Sequence, residues 1–368
     1  MAADVVWVGG VDQLFSTAAN WETAILPTAA DRAVIGTGPV ILANTAATVV
    51  DTGALLFANA VTENPVEVSI SDGSVKFAGV VTMGSVAGAR GKLTMTGGKI
   101  VCNKNASPTL DLASVAGSSG EMVMSGGEFT VAQNIFMGGN GSMHVTQTGG
   151  IFTGTEWLAL GRFATSDSSW EISGGEIRMT NTGTGLYPGE EGRGTLTVKG
   201  TGKVSVAGRL AFNGGSTVNL QTGGEIAAGY LERGKTTITG DPTVNFDGGT
   251  LRALGTAHLN PWINANVTRL YVADGGAVID IPEGEAVVNS PFAAAPSGMT
   301  GGLTKRGNGT LKLMAANTYS GATTIEAGHL VVNGANGIAA SSAITVAAGA
   351  GFGVNMADFA AWKSAISG

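Results

Sequence analysis

Residues 120–141 read GEMVMSGGEFTVAQNIFMGGNG, three short runs of alternating or apolar residues separated by turns that contain glycine or asparagine. The Gly-Gly pair that follows the first run returns in the same setting about every 25 residues. Further copies are LTMTGGKI (93–100), MHVTQTGGIF (143–152), WEISGGEI (170–177), VNLQTGGEI (218–226) and VNFDGGTL (244–251). A fixed period of this length is typical of a protein built from stacked structural repeats.

Three short strands and about 25 residues per repeat predict an all-β protein, a parallel β-helix. A leucine-rich repeat would need its L-x-x-L-x-L consensus, and a propeller blade would need about 40 residues with a recurrent Trp-Asp pair. Parallel crossovers favour right-handed winding. The repeats suggest about ten to twelve coils and, at ~4.8 Å per coil, a rod roughly 50–60 Å long.

Alternation within the first strand of each coil predicts which side chains face the core. Stacked coils should align these side chains in columns that run along the rod. The predicted inward pairs are Leu93/Met95, Met122/Met124, Met143/Val145, Trp170/Ile172, Leu196/Val198, Val218/Leu220 and Val244/Phe246.

The composition excludes several classes of protein. The chain of 368 residues contains 59 glycines and is 43% hydrophobic, so it has enough apolar residues to form a packed core. The net charge of -7, with no run of basic residues, argues against a nucleic-acid partner. No apolar stretch is long enough to predict a transmembrane segment. Charged residues make up only 13%, against about 25% in typical soluble domains, which favours self-association.

The two ends of the chain depart from the repeat. Residues 1–35 hold scattered aromatic residues and predict an N-terminal cap, because an open coil would expose unpaired strand edges. Residues 36–301 form the predicted coils, and residues 302–355 form coils of a second type. Residues 356–368 place apolar side chains at helical spacing and predict a short C-terminal capping helix.

The coils of the second type contain GLTKRGNGTLKLMAANTYSGATTIEAGHLVVN at residues 302–333. This stretch closely resembles the autotransporter-associated β-strand repeat, also called the passenger-associated transport repeat. The resemblance lies in Leu303, Lys305, Gly307, Gly309-Thr310-Leu311, Asn317-Thr318-Tyr319-Ser320-Gly321 and Ala327-Gly328. It implies an exported parallel β-helical passenger, secreted or held at the surface of a Gram-negative type of cell.

Aromatic and charged residues concentrate in one loop, LYPGEEGRG at 186–194. With Trp157, its residues Tyr187, Glu190, Glu191 and Arg193 are the candidate glycan contacts. A glycosidase needs two carboxyl groups about 5–10 Å apart. Adjacent residues seldom provide that geometry, so a second acid would have to come from another coil, such as Asp167 or Glu156. An ordinary loop between coils is the alternative interpretation.

No other pattern predicts chemistry. The three histidines, His144, His258 and His329, lack metal-ligand spacing, and Cys102 has no basic neighbour in sequence that would activate it. We therefore expect no catalytic residue, no cofactor and no metal site, and we consider an enzyme the less favoured interpretation.

These observations favour a non-enzymatic extracellular or cell-surface structural module that self-associates or mediates adhesion. Trp7, Trp21, Phe359 and Trp362, near the two ends of the chain, are the candidate residues of an end-to-end interface. The alternative is a polysaccharide-binding or polysaccharide-degrading β-helix protein, an analogy that rests on the fold alone.

Overall fold

The computed structural model describes residues 3–103, 107–235, 238–296, 298–334 and 337–355. These residues form a parallel β-solenoid whose coils contribute strands to three faces. The helical element within these ranges is one 3-10 turn, Ala18–Asn20. The expected all-β parallel solenoid is therefore confirmed, while its right-handed winding stays a prediction.

The first face is a sheet that carries the first strand of each repeat. Its strands are Val40–Ala43, Val66–Ile70, Arg90–Met95, Ser119–Met124, Ser142–Gln147, Asp167–Ile172, Arg193–Val198, Ser216–Gln221, Thr243–Asp247, Arg269–Val272 and Phe292–Ala294.

The second face lies along the next strand of each coil. Its strands are Val49–Thr52, Ser74–Phe77, Lys99–Cys102, Glu128–Val131, Ile151–Gly154, Glu176–Met179, Thr250–Ala253, Ala277–Asp280, Leu303–Arg306, Thr323–Ile325 and Ile344–Val346. Two longer strands, Lys203–Phe212 and Glu225–Arg233, continue around the corner and belong to both the second and the third face.

The third face completes each coil. Its remaining strands are Asp4–Val6, Arg32–Ile35, Ala54–Phe57, Val81–Met83, Leu110–Leu112, Ile135–Met137, Leu158–Leu160, Gly185–Pro188, Glu285–Val288, Thr310–Leu313, His329–Asn333 and Gly351–Asn355. With the two long strands, this face has fourteen strands among the described residues, so the expected ten to twelve coils were too few. At ~4.8 Å per coil the rod is roughly 65 Å long.

The core follows the predicted columns. Strand register on the first face aligns Leu93, Met122, Val145, Trp170 and Leu196, which are all at most 3% exposed. The strand Ser142–Gln147 differs from the prediction by two residues: Val145 and Gln147, rather than Met143 and Val145, occupy the two columns. Met143 is also buried, so this coil contributes three inward side chains.

The Gly-Gly corners are required by the close approach of successive coils. A Cβ atom on Gly126 would overlap the carbonyl oxygen of Thr96 in the preceding coil. Gly127 has a φ of 81°, a conformation that residues with a side chain rarely adopt. The pair therefore combines close backbone packing with a sharp turn, which explains why it recurs with the coil period.

The N-terminal segment packs its aromatic side chains inside the first coil. Trp7 and Trp21 meet edge to face with ring centroids 5.2 Å apart, and Phe15 lies 4.7 Å from Trp21. The Trp21 indole N–H donates to the Phe15 carbonyl oxygen at 2.9 Å. The strand Asp4–Val6 pairs with Arg32–Ile35, so this segment already contributes to the third face. Its division from the coils at residue 35 stays a prediction.

At the other end, the last second-face strand is exposed. Ile344 and Val346 in the strand Ile344–Val346 are 46% and 42% exposed. The predicted capping helix at 356–368, which includes Phe359 and Trp362, lies outside the described residues.

Candidate binding site on the third face

A cavity of about 380 Å³ lies on the outer surface of the third face; we call it the third-face trough. It is lined by aromatic, polar and charged side chains from several coils: Asn134, Trp157, Thr184, Tyr187, Glu190, Arg209, Gly234 and Lys235.

The strand Gly185–Pro188 provides the floor of the trough. Leu186 points into the core and is 1% exposed, so the alternation of the strand directs Tyr187 outward. The corner between the second and third faces supplies Trp157 and Thr184 on one side. The segments that follow the third-face strands supply Glu190 and Lys235 on the other side.

The side of the trough that carries Glu190 and Lys235 is formed by connections of unequal length. Three residues connect the strand Lys203–Phe212 to the next first-face strand, whereas nine residues connect Glu225–Arg233 to its successor. Asn213 in the short connection is fully buried, and its side-chain amide donates to the Glu190 carbonyl oxygen at 2.6 Å. Its Oδ1 accepts from the backbone N–H of Lys235. Asn213 thus holds Glu190 and Lys235 in position from the coil between them.

An aromatic cluster forms the wall next to the corner. Trp157 packs edge-on against Phe136 and Tyr187, with ring centroids 5.7 Å apart in both pairs. The Arg162 guanidinium lies 4.9 Å from the Trp157 ring centroid, and the Arg209 guanidinium lies 5.3 Å from that of Tyr187. These cation–π contacts fix the aromatic rings in one orientation.

Two adjacent carboxylates bind one lysine. Lys235 Nζ lies 2.8 Å from Glu190 Oε1 and 2.7 Å from Glu191 Oε1, so these two oxygens are at most about 5.5 Å apart. Arg162 also contacts both, at 3.1 Å from Glu190 and 3.3 Å from Glu191. The two adjacent glutamates therefore converge on one ammonium group, which is not the glycosidase geometry of two carboxyl groups on either side of a sugar.

The two carboxyl groups differ in environment. Glu190 is 3% exposed, and burial raises its pKa despite the nearby Lys235 and Arg162. The pKa of Glu191 is lowered, mainly by its hydrogen bond with Lys235. Divergent pKa values can mark an acid–base pair, but both groups here point at the same ammonium group instead of flanking an open space. The arrangement therefore suits a rigid polar wall better than hydrolysis.

Four shielded polar atoms of the residues that line the trough make no hydrogen bond within the described structure. Two of them belong to charged groups: Glu190 Oε2, which lies 3.1 Å from Arg162 Nε, and Arg209 Nε. The other two are the Trp157 indole Nε1 and the Thr184 hydroxyl Oγ1. Shielded donors and acceptors are normally paired, because an unpaired one costs folding free energy. A ligand hydroxyl that reached the Trp157 and Thr184 atoms after a small movement of the side chains would supply the missing hydrogen bonds.

The structure thus brings together most of the candidate glycan contacts. Trp157, Tyr187 and Glu190 line the trough, and Glu191 braces its wall. Arg193 lies instead on the first face, where its side chain is 78% exposed and 3.8 Å from Asp167.

Sequence reasoning missed the basic and polar members of the trough. Arg162, Arg209 and Lys235 come from coils other than that of the loop LYPGEEGRG, whereas Thr184 lies two residues before this loop. One signal for Arg162 was available, because the pairing of Leu160 with Pro188 aligns Arg162 with Glu190. Lys235 contacts Glu190 and Glu191 from two coils away, and no local sequence pattern predicts such a contact.

A second, smaller cavity of about 250 Å³ lies on the first face. It is bordered by Tyr271, Gln221 and a short ladder in which the Asn245 amide donates to Asn219 Oδ1 at 2.8 Å. The ladder amide of Asn219 donates in turn to Thr197. The asparagine side chains of the second cavity are therefore paired with each other and with Thr197, unlike the unpartnered atoms at the trough.

Other predicted sites fall elsewhere. Trp7 and Trp21 are 5% and 1% exposed, so their rings are buried within the chain, and the end-to-end interface stays a prediction. Cys102 is buried, which raises the pKa of its thiol. Within the described ranges, no three His, Cys, Asp or Glu side chains cluster closely enough to hold a metal ion. The same ranges contain no helix of the length and apolar character that a membrane crossing requires.

Comparison with known proteins finds a passenger repeat within the chain. Residues 303–332 match the PATR family, the passenger-associated-transport-repeat, so the chain carries this repeat in its C-terminal coils. The chain is also similar to the "Adhesin BmaC autotransporter" of Brucella suis biovar 1 (strain 1330), with 31% identity over 183 residues. That match covers 46% of this chain and 5% of the adhesin, so the chain spans a small part of the relative's length. No solved structure matches the chain.

Proposed function

We propose that this chain is a non-enzymatic segment of an exported passenger and mediates adhesion at the surface of a Gram-negative bacterium. The observation that carries the proposal is the continuity of the passenger repeat with the solenoid. Its strands Leu303–Arg306 and Thr310–Leu313 pair directly with strands of the preceding coils. The similarity to an autotransporter adhesin supports the same role.

A parallel β-solenoid suits this role physically. Each coil contacts mainly its neighbours, so adding coils lengthens a rigid rod without requiring a larger core. Side chains on the three outer surfaces are then held at fixed positions and can present a binding surface away from a cell.

Surface display tests the proposal. The chain would be fused to a heterologous outer-membrane anchor in a non-adherent laboratory bacterium, and adherence to epithelial monolayers would be counted. We expect adherence well above that of cells displaying the anchor alone. Equal adherence of the two strains, with display verified by antibody labelling, would refute the adhesion role.

Self-association is a further part of the proposal. Apolar side chains are exposed near both ends of the rod: Val8 is 57% and Val11 65% exposed near the first coil, and Ile344 is 46% exposed in the last second-face strand. Size-exclusion chromatography with light scattering should show concentration-dependent oligomers. A Val11→Ser, Ile344→Ser variant should shift them toward monomer. A wild-type protein that stays monomeric at high concentration would contradict self-association.

A further inference from the structure

We propose that the third-face trough binds a neutral saccharide of one or two sugar rings, an inference that rests on the adhesion role proposed above. The trough combines three features that such a ligand requires: a cavity of suitable size, a fixed aromatic wall and shielded polar atoms without partners.

The size of the trough fits a small ligand. Its volume of about 380 Å³ lies at the lower end of the range of roughly 300–1,000 Å³ that is typical of small-molecule sites. Gly234 keeps the trough open, because a Cβ atom there would lie 3.1 Å from the Tyr187 ring. A short saccharide fits this volume, whereas a folded peptide element does not.

The aromatic wall provides the apolar contact. One surface of a sugar ring carries mainly C–H groups, which pack well on an aromatic face. Trp157 is partly exposed at the trough, and its contacts with Phe136, Tyr187 and Arg162 hold it in place before any ligand arrives. Such preorganisation reduces the entropy lost on binding.

The unpartnered atoms provide the polar contacts. The indole Nε1 of Trp157 can only donate a hydrogen bond, whereas the Thr184 hydroxyl can donate and accept. A sugar hydroxyl also donates and accepts, so the hydroxyl groups of a bound saccharide are chemically suitable partners for both atoms. A site built to pair such groups discriminates strongly against ligands that lack hydroxyls.

The charges favour a neutral ligand. Lys235 and Arg162 are neutralised by Glu190 and Glu191, and Arg209 Nη1 lies 2.8 Å from Glu232 Oε1. No cation at the trough is left without a nearby carboxylate to attract a uronate or sulfate group. The paired glutamates likewise leave no free acid and nucleophile, so we expect binding without cleavage.

The test uses the purified full chain and a panel of defined probes: neutral di- and trisaccharides, and uronate-containing oligosaccharides of the same length. Binding would be measured by isothermal titration calorimetry. We expect at least one neutral probe to bind, with weaker binding of the uronates and no change in probe length after overnight incubation. Binding of none of the neutral probes, or a preference for the uronates, would overturn the inference.

Substitutions locate the site. Thr184→Val keeps the side-chain shape and removes a hydroxyl that has no protein partner, so the thermal midpoint should stay the same or rise while binding weakens about tenfold. Trp157→Ala should abolish binding. Tyr271→Phe on the first face is the control and should bind as the wild type does. Unchanged affinity in Thr184→Val would refute the assigned contacts without depending on the folding of Trp157→Ala.

The display assay separates the two proposals. If the wild type adheres and Trp157→Ala adheres equally, the adhesion role stands and the trough is refuted as its binding site. If only the wild type adheres, both proposals are supported. If the wild type does not adhere but binds saccharide, the adhesion role alone is refuted.

Discussion

The coils between residues 90 and 253 and those between 303 and 333 share one backbone plan but differ in what their cores contain. In the middle coils the inward columns are largely apolar, and their polar exceptions Gln147, Ser168 and Ser216 carry no charge. In the C-terminal coils, by contrast, Lys305, Asn317 and Thr323 are buried, and each is at most 3% exposed.

Lys305 shows how a charge is accommodated in the second group. Strand register places it in the same inward column as Ile279 and Ile325. Its Nζ donates to the carbonyl oxygens of Arg306, Gly307 and Ala327 at 2.7, 2.8 and 3.1 Å. The ammonium group thus pairs backbone acceptors of two successive coils at their corner.

Asn317 has a similar role on the next corner. Its Oδ1 accepts from the Phe292 N–H at 2.8 Å, and its amide donates to Ala315 and Gly337 at 2.9 and 2.7 Å. The side chain therefore connects its own coil with the coils before and after it. The middle coils contain a buried asparagine of the same kind, Asn213, which bonds to the coils on either side of it. The comparison therefore teaches that buried asparagines close corners in both groups, whereas the charge of Lys305 in an inward column has no counterpart in the described strands of the middle coils.

The largest effect is expected from the glycine corners of the middle coils. Gly126→Ala should destabilise these coils by about 3 kcal/mol, because the new methyl group would overlap the Thr96 carbonyl oxygen. Gly334→Ala is the control: its φ is positive at 73°, but the space around it is open, so backbone strain alone should cost about 1 kcal/mol. Urea unfolding followed by circular dichroism gives both values. Equal losses would show that close packing does not dominate at Gly126.

The second largest loss of stability is expected for Lys305→Met. The variant keeps most of the side-chain volume but removes the donor to three partly buried carbonyl oxygens, of which only that of Arg306 keeps a second donor within the described structure, the Ile281 N–H. The loss should be about 2 kcal/mol. Ile325→Met in the same column changes only apolar packing and should cost less than about 1.5 kcal/mol. Hydrogen exchange of the C-terminal coils measures both losses. If Lys305→Met proves no worse than Ile325→Met, the carbonyl contacts do not stabilise the repeat.

The inward residues of the middle coils were easier to predict from sequence than the buried polar residues of the C-terminal coils. Alternation is a local signal, so it identified inward residues such as Trp170 and Phe246. It also places Lys305 inward beside Leu303, but the carbonyl acceptors that make this tolerable come from two coils. The trough could not be predicted from local patterns. The contact between Lys235 and Glu190 depends on the lengths of the loops that follow two different third-face strands.

The buried lysine also makes the C-terminal coils sensitive to pH. Burial lowers the pKa of Lys305 to about 8 from 10.5, so between pH 8 and 10 the unfolded chain binds more protons than the folded chain. The free energy of unfolding should therefore rise with pH, by about 1.3 kcal/mol between pH 7 and pH 9.

The effect of pH on the stability of the C-terminal coils is measured by comparing the wild type with Lys305→Met. Hydrogen exchange of the C-terminal coils at pH 7 and 9, corrected for the intrinsic exchange rate, should show the rise in the wild type and its absence in Lys305→Met. The middle coils of the same samples serve as the internal reference. A stability of the C-terminal coils that falls with pH in the wild type alone would contradict the lowered pKa.

The smallest effect is expected at Tyr319, which is 1% exposed beside the C-terminal core. Its hydroxyl lies 2.7 Å from Thr323 Oγ1, which in turn lies 2.9 Å from Ser341 Oγ. Tyr319→Phe removes one member of this chain while Thr323 keeps its other partner, so the loss should be about 1 kcal/mol. Tyr271→Phe, at the partly exposed first-face cavity, should change stability by less than about 0.5 kcal/mol.

Thermal unfolding of Tyr319→Phe, Thr323→Val and the double variant gives the coupling between the two side chains. A coupling of about 0.5–1 kcal/mol would show that the hydroxyls act as one network, as expected for residues in direct contact. Additive losses would mean that Tyr319 contributes through its ring alone. In that case the C-terminal coils would resemble the middle coils more closely, and Lys305 would account for the difference between them.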